Sequence, residues 1–461
     1  MMRRLLATVA IGALLAGGCG GDDDDDAADA TTAPTGATVT ESVPPATDAA
    51  STTTADAAAS TTTAPVELTD SFRGVTADTI RIGITYPDLE AIRDVVQLDH
   101  GDYEAAYRAI IDDVNAQGGV LGRMIEPVFA PVNPIGTQPA DEACVRLTED
   151  EQVFAVLGNL QDDGPLCYVE QHDTAAVGGI MTDERLSRAE APWFTTEPNA
   201  STLATNVVAA YVDGGVFDGA TVALAGRVTD QADVEAAAAQ LEDAGVDVAE
   251  TAILEDFGGD TVAADNAVAV FAQRFEASDV DTVLVVGDGF LPIATGMAKT
   301  TFRPTFIATS YNAVTAYLGD DAANDLSLLD GLVVGSFTPG YPESWEDPEL
   351  QDCIGIVEAA TGTTINDPEL RTDDQPENLV SARAACWYVR LFAAIATAAG
   401  PDLTNDSFRA AGETLGDHPV AGIGLGHYTA DTPDGGFPIY LYRYDPAAED
   451  IVADPEPIDV A

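Results

Sequence analysis

Few side chains in this chain of 461 residues are suited to covalent chemistry at neutral pH. The four histidines are His100, His172, His418 and His427. None sits in an HExxH pattern, which would place two imidazoles on one helix face to hold zinc, and no GxSxG elbow presents a serine for attack. The stretch "VVGDGF" (Val285 to Phe290) has two glycines of a nucleotide-binding loop but lacks the third and its phosphate-binding context. Carboxylates are so frequent that no pair of them can be singled out as general acid and base. An enzyme is therefore not expected, and neither is a cofactor or a bound metal.

The abundance of acid is itself informative. There are 78 Asp and Glu residues against 19 Lys and Arg, a formal net charge of −59, and Lys299 is the single lysine. Such a surface repels nucleic acid and anionic lipid, so both are poor candidate partners and no nucleic acid is expected. Attraction of cationic ligands is one reading of the charge. The favoured one is a solubility or high-salt adaptation, because the acid is spread along the whole chain.

The first residues predict export. Arg3 and Arg4 precede a short apolar run, "LLATVAIGALLAG", that ends at small residues and is too short to span a bilayer stably. The following "LLAGGCGG" resembles a bacterial lipobox, which implies lipidation at Cys19. It departs from that pattern in carrying Ala16 where leucine is usual, with Leu15 one place early; an ordinary cleaved signal is the alternative. Residues 20–74 are dominated by Asp, Ala, Thr and Pro, with almost no large apolar side chain to bury, and read as a disordered tether. No later segment looks long and apolar enough to cross a membrane, so the expected arrangement is one lipid anchor and a soluble, monomeric body. With Cys19 set aside, Cys144, Cys167, Cys353 and Cys386 remain. An even number in an exported chain favours two disulfides. Three pairings are possible; Cys144–Cys167 and Cys353–Cys386 are preferred because each joins segments close in sequence. Metal binding is the rival, without a CxxC pair to support it.

From Thr79 onward, strand and helix patterns alternate. "TIRIGITYP" reads as a strand, and "DYEAAYRAIIDDVNAQ" has the apolar spacing of a helix that Gly118 and Gly119 should end. "MIEPVFAPV", "VFAVLGNL", "TVALAGRV", "VDVAETAIL", "DTVLVVGDG" and "PTFIATSY" read as further strands, separated by helical stretches. Short apolar strands alternating with helices indicate parallel sheets covered on both faces. The alternation is too long for one sheet. Breaks at Ala191–Ser201 and Gly331–Gly340 look like crossings between two lobes. The expected fold is α/β: two doubly wound lobes, 75–198 with 338–434 and 199–337 with 435–461, whose ligand crevice lies beyond the carboxyl ends of the strands.

"VNAQGGVLGR" (Val114 to Arg123) resembles the signature of bacterial extracellular solute-binding proteins of the branched-chain amino acid type. "EDEQVFAVLGNL", "AAGPDLTNDSFRAAGETLG" and "GFPIYLYRYD" are similar to later parts of that family, and the likeness runs from about Thr79 to Val452. The resemblance implies a periplasmic-binding-protein type I fold, in which a small-molecule ligand holds two hinged lobes closed. It also implies partners, a membrane permease driven by a separate ATPase. A sensor that passes its closed form to a signalling receptor is the alternative output.

Carried over residue by residue, the family's cleft maps onto few matching positions. The loop after the first strand lacks the usual serine-glycine turn; Tyr86, His100 and Tyr103 are its candidates, with packing or a solvated rim as the alternative. The turn that normally holds a carboxylate through hydroxyl and amide carries Asp162 and Asp163, which suit an ammonium or hydroxyl group instead, or form a solvated turn. The next loop offers Thr182, Asp183, Arg185 and Ser187. Arg185 could grip an anion unless Asp183 or Glu184 occupies it. In the second lobe Phe290 matches the family's aromatic position, and Ser310, followed by Tyr311, stands where amino acid binders carry an acid. Both halves of the amino acid clamp are thus altered, so the binding role carries over without the amino acid specificity.

Overall fold

The computed structural model describes residues 68–93, 98–319, 324–372 and 375–460. The expected signal, Cys19 and nearly all of the tether lie outside the described residues. The strands are β1 (Thr79–Pro87), β2 (Met124–Val132), β3 (Ala155–Gly158), β4 (Ala175–Val177), β5 (Trp193–Phe194), β6 (Thr221–Arg227), β7 (Asp247–Leu254), β8 (Thr282–Val285), β9 (Thr305–Ala308), β10 (Val333–Ser336), β11 (Gly416–Val420), β12 (Gly424–Tyr428), β13 (Tyr440–Asp445) and β14 (Asp450–Ala453).

Lobe 1 is built on a five-stranded sheet in the order β2-β1-β3-β4-β5, parallel throughout. Ile80, Ile82 and Ile84 of β1 are fully buried, as a central strand covered on both faces requires. Lobe 2 holds a seven-stranded sheet, β14-β13-β10-β9-β8-β6-β7. This sheet is parallel apart from its last two strands. β13 runs antiparallel to β10, and β14 antiparallel to β13. These last strands follow one another through a tight turn at one edge, so no crossover helix is required between them. β11 and β12 form a separate antiparallel hairpin that the sequence pattern did not reveal.

The chain passes between the sheets three times: after β5, after β10 and before β13. The passages are bonded to one another. Thr195 N donates to the Pro433 carbonyl (3.1 Å), Asn199 N to an Asp434 carboxylate oxygen (2.6 Å), and the Phe337 and Phe437 rings lie 6.0 Å apart.

The helix Leu379–Ala398 is, contrary to expectation, long and apolar enough to cross a membrane. It is instead the central helix of lobe 1: Ala382, Ala385, Val389, Phe392 and Ile395 are buried against the first helix (Tyr103–Ala116) and the sheet. Two disulfides are present in the preferred pairing. Cys144–Cys167 spans 6.4 Å between Cα atoms, and Cys353–Cys386 spans 6.1 Å, joining the helix Pro348–Thr361 to the central one. His172 lies beside the first disulfide, but oxidised sulfurs are not thiolate ligands, so this group is not a metal site.

The glycine signature works at the amino ends of the strands. The first helix ends at Ala116, and Gly119 follows in the left-handed region, where an added Cβ would come within 2.1 Å of the Arg123 carbonyl oxygen. That tight turn delivers Arg123 into the protein, with 0% of its surface exposed. Its Nε donates to the Thr76 carbonyl (2.7 Å), and Nη2 donates to those of Thr69 (2.9 Å) and Pro401 (2.8 Å). One guanidinium therefore ties the entry to β1, the start of β2 and the segment after the central helix. Arg123→Ala leaves these carbonyls without a donor and is expected to cost about 3 kcal/mol, read from the urea midpoint. Arg123→Lys should recover only part of it, because an ammonium cannot reproduce the planar fork. An unchanged midpoint in the alanine variant would refute this role.

Candidate functional site

Because strands β1, β3 and β4 run parallel, their carboxyl ends lie together at one edge of the lobe 1 sheet, and the backbones there are closely spaced. A Cβ on Gly158 would meet the Thr85 carbonyl oxygen at 2.0 Å, and one on Gly178 would meet the Gly158 carbonyl oxygen at 2.3 Å and the Tyr388 ring at 2.8 Å. Both glycines have positive φ, so only glycine allows the turns to leave the sheet this closely. The central helix begins at this same edge, with Asn378 and Ser381 against Gly101.

Three residues chosen from the sequence meet here. Tyr86 stacks on Tyr103, ring centroids 5.5 Å apart, and His100 Nδ1 hydrogen-bonds the Tyr103 hydroxyl at 2.9 Å. Burial holds the His100 imidazole below its ordinary pKa, against the pull of Glu377 and Asp99, and drives the Tyr103 phenol well above its own. Tyr86 remains half-exposed and its phenol is also raised, by burial first and then by Glu104, Asp102 and Asp88.

The others are placed differently. Arg185 is occupied, by Asp163 (Nε to Oδ1, 2.9 Å) and not by Asp183 or Glu184, so two proposed ligand groups neutralise each other. Thr182 caps the short helix Asp183–Arg188, accepting from Arg185 N at 3.2 Å. Asp162 occupies an exposed left-handed turn position. The selection of Phe290 is corrected by the structure: the ring is fully buried in the lobe 2 core, edge-on to Phe306 and Tyr317, because the residues after β8 turn straight into a helix that packs on the sheet. Ser310 caps the helix Tyr311–Leu318 and donates to Asp288 Oδ1 at 2.7 Å, so its hydroxyl is committed. Tyr311 packs edge-to-face on Tyr442 at 4.9 Å, with its phenol raised to about 12 by burial first, then by Asp450 and Glu369.

Several polar groups escaped the sequence reading. On lobe 2, Arg227, Asp230 and Asp288 stand at the carboxyl ends of β6 and β8. Gly287 lets Asp230 tuck beneath it, and one buried Asp230 oxygen has no hydrogen-bond partner. On lobe 1, Arg383 projects from the central helix with its guanidinium 4.7 Å above the Trp387 ring. Glu197, on the first passage between the sheets, is the acid that acts most strongly on it. The clue available was Arg383 itself, a rare base in an apolar helix, four residues before an aromatic. A cavity of about 240 Å³ opens where the passages meet, between Asp183, Asn199, Asp434 and Phe437.

Two α/β lobes joined by three bonded passages are the layout of a hinged binding protein, and the model of one family, described as periplasmic binding protein, matches residues 79–448. The chain belongs to the periplasmic binding protein family. Members of this family bind solutes and are not enzymes. Solved structures share the fold at low identity. A putative branched-chain amino acid ABC transporter protein from Rhodospirillum rubrum is 17% identical, with TM-score 0.57 over 82% of this chain and 100% of its own. A substrate-binding protein from Desulfitobacterium hafniense in complex with Leu is 14% identical, with TM-score 0.55 over 82% and 100%. A solute-binding protein from Rhodopseudomonas palustris in complex with 3,4-dihydroxybenzoic acid is also 14% identical, with TM-score 0.51 over 83% and 98%. None of the curated proteins matches the chain.

The buried imidazole of this periplasmic binding protein gives a pH test. A histidine whose folded pKa is depressed adds stability that is complete above the unfolded value near 6.5 and is lost as pH falls from there toward the folded value. His100 should therefore titrate below 6.5 by NMR, and His100→Gln should flatten the stability profile in that window. A His100 midpoint at or above 6.5 would contradict the assigned environment.

Proposed function

We infer that this chain is the extracytoplasmic solute-binding component of an ABC-type importer. It captures a small polar organic molecule between its lobes and hands it to a membrane permease powered by a separate ATPase. The observation that carries the reading is the pair of polar carboxyl edges, one per sheet, joined by three passages. A ligand touching both edges gains contacts that exist only when they come together, which is the differential affinity closure requires. Tyr86, His100, Tyr103 and Tyr311 are taken as wall residues of that cleft. The passages at 195–199, 337–340 and 434–438 are taken as the hinge between lobes bounded as the sequence suggested.

Lipidation at Cys19, with residues 20–74 as the tether, would hold the body at the outer face of the cell membrane, where a permease is met by two-dimensional diffusion. The proteins crystallised with Leu and with 3,4-dihydroxybenzoic acid support an organic, oxygen-rich solute as the class.

The test pairs a thermal-shift screen of small polar solutes with X-ray scattering. A true ligand should raise the melting temperature with its concentration, as mass action on the folded state demands, and reduce the radius of gyration. Scattering that stays unchanged under a ligand which does raise the melting temperature would eliminate lobe closure as the mechanism.

A further inference from the structure

In a chain with four times as many acids as bases, cations find carboxylates or carbonyls readily. Arg81, Arg108, Arg188, Arg274, Arg390 and Arg443 each hold an acid. Arg73, Arg123, Arg146 and Arg409 donate to backbone carbonyls. Among the described residues, the arginines whose side chains make neither a hydrogen bond nor an ion pair are Arg227, the last residue of β6, and Arg383, in the first turns of the central helix.

The surroundings of Arg383 set it apart. Its guanidinium faces Trp387 and has Glu197, Tyr388 and Tyr103 as electrostatic neighbours. Tyr388 is in turn influenced by Glu197, Tyr107 and Tyr103. Tyr107 and Tyr388 are 1% and 3% exposed, and among the described residues neither hydroxyl has a hydrogen-bond partner. Among the described residues the Glu197 carboxylate has no hydrogen-bond partner either. Thr196, next to it, is fully buried with an unpartnered hydroxyl. Several strong donors and one acceptor thus gather where the central helix reaches the sheet edge, near one another but unbonded. Such a gathering costs stability unless something completes it, since each desolvated group has given up water without replacement.

We propose that Arg383 is the ligand's anion anchor: it binds the carboxylate of a small organic acid, with the Tyr388 hydroxyl as a second donor and Glu197 accepting from a donor elsewhere on the same molecule. The assignment rests on the binding role inferred above. It replaces the clamp missing from the turn at Asp162 and Asp163, where Arg185 is already neutralised. The face of Trp387 fixes the guanidinium plane, which favours a planar two-oxygen group over a point anion. Arg227 on lobe 2 is the cation that adds to the field on an anionic guest when the lobes meet.

The experiment titrates the protein with a panel of small hydroxy-, amino- and aromatic carboxylates, and with the matching primary amides and amines, following heat and melting temperature. Carboxylates should bind and their amides should not. Arg383→Gln should weaken the best carboxylate roughly 10- to 100-fold, the loss of a charge-assisted hydrogen-bond pair. Arg383→Lys should restore part of that affinity, and Arg185→Gln should leave it unchanged. The ligand-free melting temperature of Arg383→Gln should fall only slightly, since the ring contact with Trp387 and the field of Glu197 are all that is lost; loss of the cooperative transition with carboxylate affinity unchanged in the remaining folded protein would assign Arg383 a structural role and overturn the proposal. Full affinity in Arg383→Gln, or amides or amines binding as well as carboxylates, would overturn it too while leaving the binding role intact. A protein that bound no member of the three panels would count against both.

Discussion

A parallel strand covered on both faces has only its two ends left for anything but packing. That constraint organises this protein. In lobe 1 the buried isoleucines of β1 exclude solvent from the faces, and the chain's polar variety is displaced to the two edges. The amino edge carries a structural knot around Arg123. At the carboxyl edge Gly158 and Gly178 let the turns leave the sheet almost touching, so that Tyr388, Tyr103 and Arg383 can crowd above them. Lobe 2 repeats the arrangement with Arg227, Asp230 and Asp288. The three bonded passages join the two lobes.

The excess of acid changes what an unpaired base means. In an ordinary surface a free arginine is unremarked, since exposed ion pairs contribute little. Here the carboxylates are dense enough that pairing is the default, and the pair Arg185–Asp163 shows how readily it occurs even in a turn that looked like a ligand clamp. A guanidinium kept apart from acid has been kept so by geometry: Arg383 is held over Trp387 by helical spacing, with Glu197 on a passage that does not reach it. The same density argues against reading any single aspartate as functional from sequence, and Asp162 illustrates that, standing exposed in its turn.

Much of the fold was legible in the sequence because its signals are local. Alternating apolar runs, the glycine stop at Gly118 and Gly119, and breaks near Ala191 and Gly331 need no knowledge of distant residues. The place of β13 and β14 at one edge of the lobe 2 sheet was not legible, since it depends on which neighbour the chain returns to. The candidate site was legible only in part. Tyr86, His100 and Tyr103 follow a strand end and could be placed by position along the chain. Phe290 failed because one turn of backbone decides whether a ring after a strand faces the cleft or the core, and here it enters the core beside Phe306.

The sequence by itself determined the fold class and the two-sheet organisation, because periodicity is a property of neighbouring residues. It also marked Gly119 and Arg123, but not that their work lies at the amino ends of the strands. Which charges remain unsatisfied was decided by tertiary structure alone. Pairing is a matter of a few ångströms between residues as far apart in the chain as Glu197 and Arg383, and no spacing rule encodes that distance.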